Sequence, residues 1–174
     1  NYAASRRGAA LPMAAIVVIL AIVSSFWVPV IFSAFWAALV ISSLLVVVLV
    51  ASRFSDEDAA KFNAGRWTTS FVIAETIYGL ALSLLALCTV VANPQDVAPM
   101  MFAMVLVSIA ANAVATHTLP PATLMSTLPV TLTVSINLIA LGGTLNFMLA
   151  AVAVCGEVFF VYLARQLHAS ELET

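Results

Sequence analysis

The chain has 174 residues, of which 64% are hydrophobic and only 8% charged, with a formal net charge of −2. Ordinary soluble domains carry roughly 25% charged residues, and no soluble domain of this length could bury so much apolar surface. That balance excludes a water-soluble globular protein and, with no basic patch, a nucleic-acid binder.

In chain order, the apolar runs predict six membrane spans, at about 11–27, 31–51, 69–91, 99–115, 123–141 and 145–164. Arg6-Arg7 precedes the first run and reads as its polar flank. Val28-Pro29-Val30 is the only break before the second span, so the first two spans form an antiparallel hairpin. Trp27 and Trp36 flank it as interface anchors of an aromatic belt.

Between 52 and 67 the composition turns polar, with Arg53, Asp56, Glu57, Asp58, Lys61 and Arg66. Ser55 can cap a helix there, acids fill its first turn, and Glu57 sits four residues before Lys61. A short surface helix is expected, followed by Arg66 and Trp67 anchoring the chain as it returns to the bilayer.

Asn93-Pro94-Gln95-Asp96 ends the third span, and Pro99 opens the fourth as a first-turn proline. His117-Thr118-Leu119-Pro120-Pro121 is an uncharged connection to the fifth span, inside which Pro129 predicts a kink. Gly142-Gly143-Thr144 turns the chain into the sixth span. That last segment becomes polar after Leu163 without a Gly or Pro to stop it. It reads as one helix leaving the membrane, with 165–174 as the start of a cytoplasmic linker. Because the chain opens on Asn1 and stays helical in composition to its end, the expectation is a membrane module cut from a longer protein.

Six spans place both termini on one side, together with the 52–67 loop. All six basic residues (Arg6, Arg7, Arg53, Lys61, Arg66 and Arg165) then share that side, which the positive-inside rule makes the cytoplasm. The opposite face has only short turns, so a stimulus must be small, lipid-borne or bound between helices.

Polar groups inside the spans are the candidate site. Glu75 and Glu157 lie at similar depth, roughly 10 Å from the same face. Asn112 and His117 approach that level from the fourth span, Ser126 and Thr127 from the fifth, and Tyr78 stands one turn from Glu75. Ionisable groups in a bilayer avoid lipid, and two carboxylates in low dielectric cannot both ionise easily. Two readings are open: a proton- or ligand-responsive pocket around Glu75 and Glu157, or interhelical glue with each acid hydrogen-bonded. Gly79 and Ser83, like Ala111 and Ala115, have spacing that favours close helix packing.

Cys88 and Cys155 fall inside apolar runs and read as buried small hydrophobes, a disulfide being the alternative. A metal at Glu75, Glu157 and His117 lacks a recognisable fourth ligand. A bis-histidine haem needs a second intramembrane His besides His117, because His168 lies beyond the last span. No cofactor is expected. No catalytic or nucleotide-binding motif is present, so any enzymatic activity would lie in sequence beyond this segment.

Four short motifs carry a resemblance: Arg66-Trp67 before a span; Tyr78-Gly79-Leu80-Ala81 within it; Pro120-Pro121 followed by Leu128-Pro129; and Leu163-Ala164-Arg165-Gln166-Leu167-His168-Ala169-Ser170 on the exit helix. In layout, along nearly its whole length, the chain resembles the six-helix MASE-like input domains of bacterial membrane signalling proteins. Those domains precede diguanylate cyclase (GGDEF), EAL phosphodiesterase or histidine kinase domains. The resemblance implies a multi-pass sensor in the bacterial inner membrane, a homodimer, and a cytoplasmic output domain in cis. A structural subunit of a larger membrane complex is the alternative, and a small transporter the third reading.

Overall fold

A computed structural model describes residues 2–56, 64–88, 94–116 and 118–172. Among the described residues there are six helices and no strand: α1 (Tyr2–Ser24), α2 (Val30–Asp56), α3 (Ala64–Cys88), α4 (Pro94–Thr116), α5 (Pro120–Leu141) and α6 (Thr144–Leu172). The chain is an all-α membrane bundle. Five of the six are long and apolar enough to cross a bilayer, and α4 contains the shorter apolar stretch Met101–Thr116. The 23 residues of α4, at about 1.5 Å each, still reach roughly 34 Å.

Backbone chemistry sets the connections. Pro29 precedes α2 and its carbonyl accepts from Phe32 N at 2.9 Å. Pro120 and Pro121 occupy the first positions of α5, where a missing N–H costs nothing. Gly142 and Gly143 have φ of 69° and 85°, a left-handed turn that favours glycine and reverses the chain into α6.

Several boundaries differ from the sequence reading. α1 begins at Tyr2 rather than near Leu11, so Pro12 and Arg6 lie inside a helix. α2 stays helical through Asp56, so Ser55 ends a helix instead of capping a new one. The remainder of the expected surface helix, with Lys61, lies outside the described residues. α4 starts at Pro94, which leaves Pro99 inside it rather than at its first turn. Pro129 sits within an unbroken α5.

The helices α1, α2, α3, α5 and α4 pack in that order as a closed ring, and α6 lies outside it in the groove between α4 and α5. Tyr2, Ala3, Ala51, Phe71 and Ala122 cluster at one end. That end holds the starts of α1, α3 and α5 and the end of α2, and α6 runs back toward it. Both termini therefore share one end, with Arg6, Arg7, Arg53, Arg66 and Arg165 nearest it. Outward faces are apolar, as lipid requires: Leu11 and Ile22 on α1, Phe35 and Leu49 on α2, and Met148 and Phe159 on α6 are all exposed.

Two close approaches hold the bundle. A Cβ on Gly79 would lie 2.9 Å from the Ser126 carbonyl carbon, so α3 and α5 touch backbone to backbone there. One on Gly156 would meet Leu106 at 3.2 Å, bringing α6 onto α4. The inner face of α6 is otherwise Ala150, Ala153, Glu157 and Ala164, all buried. Small residues at such spacing let helices pack without a hydrophobic driving force.

Candidate functional site

Trp27 is exposed beside the α1–α2 turn. Trp36 is not an anchor. It is 3% exposed, and its indole N–H donates to Ala81 O at 3.0 Å, tying α2 to α3. Burial with its polar edge satisfied is the usual condition for an interior Trp. Arg66 is exposed at the start of α3. Trp67 beside it is half-buried, packed edge-on against Phe54 with ring centroids 5.3 Å apart. Cys155 is exposed on α6 and carries a free thiol, not the buried one expected.

Glu75 lies in the ring interior, and its partners come from α1. Arg6 Nη2 donates to Oε2 at 2.9 Å, Arg6 Nε lies 2.7 Å from Oε1, and the Tyr2 hydroxyl also donates to Oε1. Both charged side chains are 0% exposed. The guanidinium carbon stands 5.1 Å from the centre of the Tyr78 ring, a cation–π distance, while Nη1 faces Met13 Sδ. Tyr78 stands beside Asn112 of α4, both lining one small cavity. Among the described residues Asn112 Oδ1 has no hydrogen-bond partner; the cavity is no larger than about one water molecule, lined also by Met13, Val17 and Ser108.

Sequence reasoning singled out Glu75, Tyr78 and Asn112, and the structure brings them together. It did not name Tyr2, and it read Arg6 as the flank of the first span. The signal was present: Tyr2, Arg6, Met13, Val17, Leu20 and Ser24 recur at steps of three, four and seven, and all are buried. One helix face therefore carries the arginine inward.

Glu157 is elsewhere, in the seam where α6 meets α5. Thr127 Oγ1 lies 2.6 Å from its Oε1 and Thr131 Oγ1 lies 2.9 Å from its Oε2. The same hydroxyls lie 2.9 Å from Thr123 O and 3.3 Å from Thr127 O respectively. Among the described residues, no charged side chain stands close enough to act on this carboxyl. The two acids thus have no partner in common. A single pocket around both, one of the two readings open from the sequence, is not what these contacts form: the acids lie in two clusters, one an ion pair and one a hydroxyl cradle.

His117 lies outside the described residues. Among the described residues no group of three or more His, Cys, Asp or Glu could hold a metal ion. No protein-family model, curated protein or solved structure matches the chain.

Proposed function

We propose that the chain is the membrane-embedded input module of a bacterial signalling protein. A small or lipid-borne stimulus alters how α6 packs on α4 and α5, and the change passes along α6 to a cytoplasmic output domain in cis. The observation that carries this reading is the continuity of α6: 29 residues without a break, or about 44 Å at 1.5 Å each. A helix of that length moves as one body, so what happens at Glu157 is felt beyond Arg165.

Position supports the same reading. α6 packs outside the ring on one face only, so it can shift without dismantling the interior around Arg6 and Glu75. The arginines at the terminus end favour the cytoplasm for that end, in the inner membrane. Past the bilayer, Arg165, Gln166 and Ala169 are exposed. A solitary helical extension of this length is marginal in water, and the matching helix of a second copy would give it a packing partner, as in the homodimer the resemblance implies.

Inserting residues between Leu167 and His168 of the natural full-length protein tests the relay. Four residues add about one turn and restore the helical phase, whereas two reverse it. The expected result is near-parental output with four and lost or locked output with two. Output indifferent to phase overturns the proposal, as does a natural protein with no output domain.

A further inference from the structure

Counting hydrogens in the α5–α6 seam separates the two acids. Four oxygen–oxygen contacts surround Glu157: Thr127 to Oε1 at 2.6 Å, Thr131 to Oε2 at 2.9 Å, Thr127 to Thr123 O at 2.9 Å and Thr131 to Thr127 O at 3.3 Å. Each threonine has one hydroxyl hydrogen. If the carboxyl is ionised, both hydrogens must go to it, and the short contact from Thr127 to Thr123 O has no hydrogen. If the carboxyl is protonated, three hydrogens serve the three shortest contacts. Glu157 donates to Thr127 Oγ1, Thr127 donates to Thr123 O, and Thr131 donates to the carboxyl's other oxygen. Only the longest contact is then left over.

The charges lead to the same state. A carboxylate out of water needs a cation or several donors. Glu75 has Arg6 against it. Glu157 has none. The described parts of α5 contain no Asp, Glu, His, Lys, Arg or Tyr. In α4 the one titratable residue is Asp96, in the first turn at the far end of the bundle. On α6 itself, Tyr162 points outward and Arg165 lies two turns further on.

We propose that Glu157 is a proton-binding site, held as the neutral acid by Thr127 and Thr131, and that losing its proton to solvent loosens α6 from the ring. On that loss both threonine hydroxyls turn to the carboxylate, Thr127 gives up the Thr123 carbonyl, and an uncompensated charge remains in the seam. The consequence for signalling rests on the relay reading above; the proton itself does not. Glu75, by contrast, has Arg6 against both of its carboxyl oxygens.

Infrared spectroscopy of the full chain in lipid nanodiscs reads the proton directly. At neutral pH the parent should show the carbonyl stretch of a protonated carboxylic acid. The band should vanish in Glu157→Gln, persist in Glu75→Gln, and shift in frequency in Thr127→Val, which removes its hydrogen-bond partner. Raising the pH should convert it to carboxylate absorption. A parent without the band overturns the proposal, as does a band that survives Glu157→Gln or disappears only in Glu75→Gln. If Glu157→Gln does not fold, the Thr127→Val shift decides, and an unshifted band overturns the assignment. Output that still responds to pH in Glu157→Gln as it does in the parent, with the band lost, would instead sink the relay and leave the proton site standing.

Discussion

Arg6 and Glu75 are both fully buried, so neither tolerates losing the other. Removing one partner leaves a bare charge in low dielectric, typically at a cost of about 3–5 kcal/mol, whereas replacing both with apolar groups is often neutral or stabilising. Arg6→Met should therefore lower thermal stability in detergent sharply, and adding Glu75→Leu should recover most of the loss. A double variant no more stable than the worse single would contradict a closed pair. The glutamate was legible from sequence because a charge in an apolar run is conspicuous. The arginine was not, because a basic residue near a chain start is read as solvent-facing by default. Only the spacing of Tyr2, Arg6, Met13 and Val17 on one helix face distinguishes the two cases. Thr127 was named beside the acids, but Thr131 was not, since one more hydroxyl in a Thr-rich helix carries no signal until its partner is known.

At the scale of helices, Gly79 is a close approach of α3 and α5, and the Ser126 backbone leaves no room for a methyl group. Gly79→Ala should force these helices apart at a cost of about 1–3 kcal/mol, the usual range for overpacking. Its effect should exceed that of Gly8→Ala, since nothing lies within 4 Å of a Cβ there. Comparable unfolding temperatures for the two variants would contradict the close approach. The turns at Pro29, Pro120 and Gly142 were legible because they are written into backbone chemistry. The helix starts at Tyr2 and Ala64 were less so. Hydropathy reports where lipid begins, whereas a helix continues into polar sequence until something caps or breaks it. Trp36 was misplaced for a related reason: composition cannot tell a tryptophan at the bilayer surface from one whose N–H is satisfied inside.

At the scale of the molecule, five helices enclose the ion pair and one helix, bearing an acid without a cation, lies against them. The six-helix all-α bundle was readable from the spacing of apolar runs alone. The ring order was not, because almost every helix face is apolar and nothing in the pattern says which faces meet lipid. On the proposal above, the interior pair stays as it is while the outer seam responds. Its most direct test is a distance. Spin labels replacing Pro121 on α5 and Gln166 on α6, both exposed, can be measured by pulsed electron paramagnetic resonance in nanodiscs, with labelled chains diluted among unlabelled ones. If Glu157 is the proton site, raising the pH deprotonates the seam, so the distance should change in the parent and stay at its low-pH value in Glu157→Gln. An identical distance at low and high pH in the parent would contradict the account.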